Sequence, residues 1–317
     1  MKVLFTLSYG QKNFNRLKQE GFDVEFCDET KMGDDFRFPD SCLDADCMVC
    51  FNPFQHISLE DLPKLKWIQL ASVGFNHVPR KQIESLGLSL TCNVGTTRKP
   101  IAEWIVTQIL QSYKQTRLFN RQQEERIWKA SKDILELSGK KVVFLGAGNI
   151  AQETARKLKA FDAVTCALNH SGKPAEYMDE TDSINEIDRI LPEADIVICT
   201  LPATPETYHL LNRERLSLIR EDAVLVNISR GTVVDEPALC NLLEAGRFRG
   251  VALDVFEKEP LPSESPLWSY DRVFITPHNA IFSDMSGDRV FDMVYTNLIR
   301  FRDGLPLLNT VNFDRGY

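Results

Sequence analysis

The feature that most constrains this fold is a short apolar run leading through a glycine-rich turn into a helical pattern, at residues 140–158, KKVVFLGAGNIAQETARKL. Gly146 allows a tight turn, Gly148 lets an anion approach the backbone, and Ala151 is small enough for helix–strand packing. Because the first N–H groups of such a helix attract phosphate, the pattern predicts a dinucleotide-binding βαβ unit. The alternative is a glycine turn that serves packing alone. The residues expected to contact the cofactor are Gly146, Gly148, Asn149 and Ile150.

Apolar runs with strand character alternate with amphipathic stretches along the whole chain. They occupy residues 3–7, 24–27, 45–51, 67–70 and 88–92, and then residues 142–145, 164–168, 196–200, 223–228, 251–255 and 273–276. Such alternation predicts α/β structure with open parallel sheets covered by helices. A loop and a long helical pattern near residue 97 separate the two series. We therefore expect two α/β units, 1–97 and 98–282, and a final helix at 283–301 that spacing alone assigns to neither.

Charge and hydropathy narrow the class of protein. The chain has 317 residues, 43% of them hydrophobic, with 45 acidic and 37 basic side chains and a net charge of −8. Proteins that bind nucleic acid through phosphate neutralisation normally carry a basic excess, which is missing here. No apolar run approaches the roughly 18–20 residues that span a bilayer, and the first residues are typical of a strand. We expect a cytoplasmic protein that binds neither nucleic acid nor a membrane.

Eight cysteines are scattered through the sequence, and two of them, Cys47 and Cys50, match the C-x-x-C pattern. They lie in the apolar run ADCMVCF, which predicts a buried strand. Residues three apart in a strand point to opposite faces of the sheet. The pair is therefore interpreted as small buried hydrophobic residues, and we expect neither a redox pair nor a metal site.

The polar loop after the second strand of the later series bears on the choice of cofactor. An Asp or Glu is expected about 20 residues after the glycines where NAD is bound through its ribose hydroxyls. Asn169 stands there instead and would not repel a 2′-phosphate. This favours NADP over NAD, and the alternative is a solvated loop that accepts either cofactor. The side chains expected to donate to the phosphate are those of Asn169, His170, Ser171 and Lys173.

Six segments occur in an order and spacing that one enzyme family shares. They are ASVGFNHV (71–78), GAGNIAQ (146–152), LPATPETYHLLN (201–212), NISRGTVVDEPAL (227–239), ALDVFEKEP (252–260) and ITPHNA (275–280). Through them the chain resembles the D-isomer-specific 2-hydroxyacid dehydrogenases over essentially its whole length. The resemblance implies two Rossmann-like, doubly wound domains. It places a dinucleotide-binding domain at 98–282, inserted in a substrate-binding domain at 1–97 and 283–317, and it implies a homodimer.

Three side chains supply the chemistry that reduction of a 2-keto acid requires. Arg230 and His278 each follow a predicted strand, where open α/β sheets bind ligands. A guanidinium suits a carboxylate and its neighbouring carbonyl, and a histidine can protonate the developing alkoxide. Glu259 beside His278 would orient the ring and favour its protonated form. The resemblance assigns these three roles to Arg230, Glu259 and His278. Taken singly, Arg230 is more simply explained as a surface ion pair, and Glu259 and His278 as ordinary loop residues.

Further contacts follow from the resemblance. Val73 and Gly74 would offer backbone N–H groups to the substrate carboxylate, unless they form a plain turn. Asp254 would accept a hydrogen bond from the nicotinamide amide, and its alternative is a buried Asp satisfied within the protein. The other residues expected to line the cofactor are Leu201, Pro202, Thr207, Ile228, Ser229 and Arg230.

The substrate side chain is expected to meet Asn52, Phe54 and Phe282, together with Arg230 and His278. Aromatic walls favour a branched or aromatic 2-keto acid over glyoxylate, although aromatic side chains also serve as core residues. Asp162 stands where the family commonly has Gly, and the sequence offers no physical account of it.

We therefore predict an oxidoreductase that transfers a hydride between NADP, or NAD, and a small 2-keto or D-2-hydroxy acid, with no metal. The alternative is a dinucleotide-binding regulatory protein without turnover, of the corepressor type found among relatives of this family. Formate oxidation is a third possibility, but relatives with that activity carry Gln at the position of Glu259. The sequence names neither the physiological acid nor the direction of the reaction.

Overall fold

The computed structural model describes residues 1–75 and 77–313. The chain forms two compact units, one of residues 1–97 with the described residues from 283 onward, and one of residues 98–282. Residue 76 of the ASVGFNHV segment and residues 314–317, at the end of the expected substrate-binding domain, lie outside the described part.

Strands and helices alternate along the described residues. The strands are β1 (Lys2–Phe5), β2 (Asp23–Phe26), β3 (Cys47–Cys50), β4 (Trp67–Leu70), β5 (Ser89–Thr91), β6 (Lys141–Leu145), β7 (Val164–Asn169), β8 (Glu180–Ser183), β9 (Ile196–Cys199), β10 (Val224–Asn227), β11 (Gly250–Leu253) and β12 (Val273–Ile275). The α-helices are α1 (Gln11–Gln19), α2 (Arg80–Ser85), α3 (Arg98–Tyr113), α4 (Thr116–Glu124), α5 (Asn149–Leu158), α6 (Ile187–Ile190), α7 (Arg213–Leu218), α8 (Glu236–Glu244) and α9 (Ser286–Arg302). None of these helices is both long and apolar enough to cross a membrane.

The first unit is built on a five-stranded parallel sheet with the order β2-β1-β3-β4-β5. Side chains of α1 and α9 pack on one face of this sheet, and a second apolar cluster that includes Ile83 of α2 covers the other. Cys47 belongs to the first cluster and Cys50 to the second, so their thiols lie on opposite faces, as the strand geometry predicts. Burial raises the pKa of both thiols.

The second unit is built on a seven-stranded parallel sheet with the order β12-β11-β10-β9-β6-β7-β8. Counted from β6, this is the 3-2-1-4-5-6 order of the Rossmann fold with one further strand. Helices α3 and α5 cover one face, and α6, α7 and α8 cover the other. The predicted fold class, two doubly wound α/β domains with one inserted in the other, is confirmed. The edge strand β8 was not predicted from the sequence, because its residues ETDS are polar and give no apolar signal.

Asp162 now has a physical explanation. It ends the 3₁₀ turn after α5 with φ +57° and ψ +26°, in the left-handed region. Glycine adopts this conformation without a steric penalty, whereas Asp and Asn tolerate it better than other residues do. The substitution of Asp for the usual Gly therefore keeps the turn.

Candidate active site

The glycine-rich turn lies at the point where the strand order of the second sheet reverses, between β6 and β9. Gly146 has φ +104°, and a Cβ there would lie 2.8 Å from Thr200 Oγ1 on the neighbouring strand end. A Cβ on Gly148 would meet nothing within 4 Å, so space is open in front of α5. Crevices of this kind at the carboxyl ends of the strands bind ligands in open α/β sheets.

Helix α5 begins directly after this turn, and no side chain caps its N-terminus. Its first backbone N–H groups are therefore available to an anion, and Asn149 and Ile150 lie in the same turn. Ala151 is fully buried in the core between the helix and the sheet. The open approach and the uncapped helix fit the pyrophosphate of a dinucleotide.

The side chain of Asn169 forms hydrogen bonds within the loop after β7. Asn169 Nδ2 donates to the carbonyl of Lys173 at 2.9 Å, and Asn169 Oδ1 accepts from the backbone N–H of Ser171 at 3.0 Å. One of the two Nδ2 hydrogens of Asn169 is therefore used within the loop, and the contact of this residue with a phosphate stays a prediction. His170, Ser171 and Lys173 are exposed on this loop.

The segment after β9 forms a compact turn. Thr207 Oγ1 donates to the carbonyl of Pro202 at 2.7 Å and accepts from the N–H of Thr204 at 2.8 Å. Leu201 is partly buried against the core. Since the Thr207 hydroxyl closes the turn, it shapes this part of the candidate cofactor surface.

Arg230 stands at the carboxyl end of β10, on a turn organised by Asn227. The buried Asn227 side chain accepts from the N–H and the hydroxyl of Ser229 at 3.1 and 2.8 Å, and it donates to the carbonyl of Arg230 at 3.0 Å. Ile228 and Ser229 are buried, whereas Arg230 is exposed. Sequence reasoning missed Asn227, although a polar side chain that ends a buried strand was a usable signal.

Gly231 fixes the place of this turn against the segment that bears Glu259. A Cβ at Gly231 would lie 1.8 Å from the backbone carbon of Phe256, so only glycine fits. The N–H of Phe256 in turn donates to Glu259 Oε1 at 3.0 Å. The arginine and the acid predicted from the sequence are therefore carried by two segments in direct contact.

The predicted acid and histidine are paired. Glu259 Oε2 lies 2.9 Å from His278 Nδ1, and the pair is partly exposed. Because Nδ1 faces the carboxylate, Nε2 is the ring nitrogen left to meet a substrate. This pairing of a carboxylate with an imidazole is the arrangement expected of an oriented general acid.

Asp254 holds the turn that carries His278. His278 has φ +53°, and its N–H donates to the carbonyl of Asp254 at 2.8 Å. The buried Asp254 carboxylate accepts from the N–H groups of Asn279 and Ala280 at 2.8 and 3.0 Å, and from the hydroxyl of Thr276. The carboxylate is therefore buried and hydrogen-bonded within the protein, and its expected contact with the nicotinamide amide stays a prediction. The Asp254 carboxylate stabilises an otherwise unfavourable backbone conformation.

In the first unit, a carboxylate that accepts from two backbone N–H groups supports the loop after β3. Both Phe51 and Asn52 donate their N–H groups to the carboxylate of Glu29 at 3.1 Å, a role that sequence reasoning missed. The Asn52 Oδ1 atom is buried and has no hydrogen-bond partner among the described residues. Val73 is exposed, and the hydroxyl of Ser72 donates to the carbonyl of Gly74 at 2.7 Å.

The aromatic candidates differ in exposure. Phe54 packs against the core cluster of the first unit, whereas Phe51 is 49% exposed and stacks on His77 with ring centroids 5.7 Å apart. His77 Nε2 also lies 2.8 Å from the carbonyl oxygen of Phe51. In the second unit Phe282 is 67% exposed. Phe51 and Phe282 therefore offer open aromatic surface, and Phe54 offers little.

Comparisons with known proteins give one consistent result. Residues 106–280 match the model of the family described as D-isomer specific 2-hydroxyacid dehydrogenase, NAD binding domain. A glyoxylate reductase of Thermofilum pendens is 32% identical over 271 residues, 82% of this chain and 79% of the relative. A hydroxyphenylpyruvate reductase of Plectranthus scutellarioides is 31% identical over 255 residues, 80% of each chain.

Comparison with a solved structure shows that the fold is shared as well. The D-isomer specific 2-hydroxyacid dehydrogenase of Xanthobacter autotrophicus Py2, in complex with NADPH and MES, is 27% identical with a TM-score of 0.83, covering 100% of this chain and 99% of that one. The resemblance and the enzyme class predicted from the sequence are confirmed by these matches. The chain belongs to the D-isomer specific 2-hydroxyacid dehydrogenase family.

Proposed function

We propose that this enzyme reduces a 2-keto acid to the D-2-hydroxy acid and uses NADPH in preference to NADH. The observation that carries the proposal is the Glu259–His278 pair, at 2.9 Å, at the carboxyl edge of a Rossmann sheet whose Arg230 turn touches the same segment. Residues 98–282 would bind the dinucleotide, and residues 1–97 with those from 283 onward would bind the substrate.

The cofactor would lie with its pyrophosphate at Gly146, Gly148 and the start of α5. The loop after β7 supports NADP, because it presents His170, Ser171 and Lys173. The last residue of β7 is Asn169, where a carboxylate would favour NAD. The structures of the Xanthobacter autotrophicus relative and of a Rhizobium etli relative contain NADPH and NADP. When bound, the reduced nicotinamide supplies a hydride to the carbonyl carbon.

The chain's own residues would do the rest of the chemistry. Arg230 would bind the substrate carboxylate and polarise the keto oxygen, since a guanidinium forms charge-assisted hydrogen bonds with both. His278 would donate the proton of Nε2 to the developing alkoxide, while Glu259 holds Nδ1 and compensates the ring's charge. The backbone N–H groups of Val73 and Gly74 would bind the carboxylate from the first unit.

The substrate side chain is proposed to be branched or aromatic. Phe51, stacked on His77, and Phe282 both present exposed aromatic surface. Such surface gains more from a large apolar side chain than from the hydrogen of glyoxylate. The relatives include one named glyoxylate reductase and one named hydroxyphenylpyruvate reductase, and these names correspond to a small and to a large aromatic substrate.

A homodimer is also proposed, and the segment at residues 118–128 is the surface that supports it. Trp128 is fully exposed there, and Ile127 and Leu118 are 47% and 38% exposed. The neighbouring groove carries charges of both signs, among them Arg121 and Asp271, which suits a self-complementary contact with a second copy of this chain. A cytoplasmic location is supported by the eight cysteines, all present as thiols.

Steady-state rates with glyoxylate, hydroxypyruvate, 2-ketoisocaproate and phenylpyruvate, each with NADPH and NADH, test the proposal. We expect the highest kcat/KM for a branched or aromatic acid with NADPH, and a D-configured product. Cofactor binding without oxidation by any of these acids would contradict the proposal and favour the regulatory alternative.

A further inference from the structure

A second pair of a histidine and a carboxylate lies beside the pair proposed for catalysis. His209 Nε2 is 3.0 Å from Glu257 Oε1, and the two side chains are 26% and 30% exposed. His209 has φ +45°, and the ring of Tyr208 stacks on its imidazole with centroids 4.1 Å apart. A non-glycine residue in the left-handed region persists only where its surroundings hold it there.

Glu257 is also joined to Glu236 at the first residue of α8 by two reciprocal hydrogen bonds. The N–H of Glu236 donates to Glu257 Oε1 at 3.1 Å, and the N–H of Glu257 donates to Glu236 Oε1. One oxygen of Glu257 therefore serves both His209 and the start of α8. The three side chains form a single network, defined here as the His209–Glu257–Glu236 network.

This network connects the segments that carry the proposed chemistry. The N–H of His209 donates at 2.8 Å to the carbonyl of Thr232, two residues after Arg230. Glu257 precedes Glu259 by two residues, on the segment against which Gly231 is packed. The turn after β9, the turn after β10 and the segment after β11 are thus joined by the same side chains.

The Glu236 carboxyl of the network lies within electrostatic range of Glu259 as well as of Glu257. Burial raises the pKa of the Glu236 carboxyl, and the charges of Glu257 and Glu259 raise it further, against the effect of the hydrogen bond from the N–H of Glu257. Glu236 therefore experiences the fields of both other carboxylates. The charged groups that contact Glu257 are His209 from the segment after β9 and Glu236 from α8, and Glu259 lies on the same segment as Glu257.

We propose that His209, Glu257 and Glu236 are positioning residues: they fix the segment that presents Glu259 to His278, and the Glu257 charge stabilises the protonated imidazole of His278. The proposal rests on the function proposed above, because it assigns a purpose to the same site. None of the three residues is required to touch substrate or cofactor.

Histidine NMR titration of the protein without cofactor measures the charge effect directly. The chain has only five histidines, at positions 56, 77, 170, 209 and 278, so single His→Gln variants assign every signal. Glu257→Gln keeps an oxygen that can accept both hydrogen bonds but removes the charge. Since a nearby negative charge favours the imidazolium form, we expect the titration midpoint of His278 to fall by about half a pH unit.

Glu264→Gln is the matched control, because it removes one exposed carboxylate a few residues further along the same loop. In the described residues, the Glu264 carboxylate accepts a hydrogen bond from the neighbouring Ser263 hydroxyl at 3.2 Å. We expect no shift of the His278 midpoint in that variant. A His278 midpoint that is unchanged in Glu257→Gln, or that moves equally in both variants, would overturn the charge assignment.

Kinetics test the positioning role. Glu257→Ala removes the charge and the hydrogen bonds, and we expect kcat to fall about tenfold while the Kd for NADPH changes less than about threefold, with partial recovery in Glu257→Asp. Wild-type kcat in Glu257→Ala would overturn the positioning role. If the wild-type protein reduces no 2-keto acid and the His278 midpoint still shifts in Glu257→Gln, the proposed function fails while the network stands.

Discussion

Glu259 Oε2 and His278 Nδ1 are 2.9 Å apart although 19 residues separate them in the chain. Each of the two side chains is held in place by a further hydrogen-bonding group. The Phe256 N–H holds the second oxygen of Glu259, and Asp254 holds the turn that carries His278. An imidazole fixed in this way keeps Nδ1 on the Glu259 carboxylate and leaves Nε2 to donate a proton to a substrate, which is what a general acid requires.

The contact between the Arg230 turn and the Glu259 segment depends on the absence of a side chain at Gly231. Gly231→Ala would place a methyl group 1.8 Å from the backbone of Phe256, so the two segments must separate. We expect a loss of more than about 3 kcal/mol of folding free energy and a fall in Tm of roughly 10 °C, with turnover lost. Thermal denaturation and the keto acid assay measure both effects.

Gly287→Ala is the control for this prediction. Gly287 lies in α9, and a Cβ there would meet nothing within 4 Å. Alanine favours the helix over glycine by up to about 1 kcal/mol, so Tm should be unchanged or slightly higher. Equal losses of Tm in Gly231→Ala and Gly287→Ala would contradict the claim that the contact at Gly231 requires glycine.

Cofactor preference can be changed in the loop after β7. Asn169→Asp keeps an oxygen that accepts from the N–H of Ser171, loses the donor to Lys173 and adds a negative charge where a 2′-phosphate would lie. We expect the ratio of kcat/KM for NADPH to that for NADH to fall about tenfold. Asn185→Asp, which adds the same charge at an exposed position of the same unit, should leave the ratio unchanged. A ratio that does not fall in Asn169→Asp would remove the argument for this loop.

The proposed dimer contact depends on Trp128. Replacing this fully exposed side chain with Ser removes the largest apolar contribution of the segment, so sedimentation equilibrium should show a weaker dimer, by at least about tenfold in dissociation constant. Trp268→Ser, at a 53% exposed tryptophan elsewhere in the same unit, is the control and should not change the association. A wild-type protein that sediments as a monomer at micromolar concentration would contradict the proposal.

The fold was predictable because its signals are local. Apolar runs between amphipathic stretches mark eleven of the strands in the described residues, and the glycine turn marks the first strand of the Rossmann unit. The polar edge strand β8 pairs only with β7 and has no apolar face to reveal it. Its polarity is the reason that pattern reasoning missed it.

The supports of the site were less predictable. Arg230, Glu259 and His278 could be named from the sequence, but the purpose of Asp254, Asn227 and Glu29 could not, because their side chains bond to backbone groups. Any N–H group can be a partner for a carboxylate, so a sequence does not specify which one is bound. For the same reason the bonds that Asn169 makes to the backbone of its own loop could not be predicted from the sequence.

The most direct test of the central claim is the effect of His278→Gln on turnover and on cofactor binding, measured on the same preparation. Losing the proton donor should reduce kcat for the best 2-keto acid by about 10²–10⁴. The Kd for NADPH should stay within about threefold of the wild-type value, and His56→Gln should behave as the wild type. Undiminished turnover in His278→Gln would contradict the proposed role of the Glu259–His278 pair.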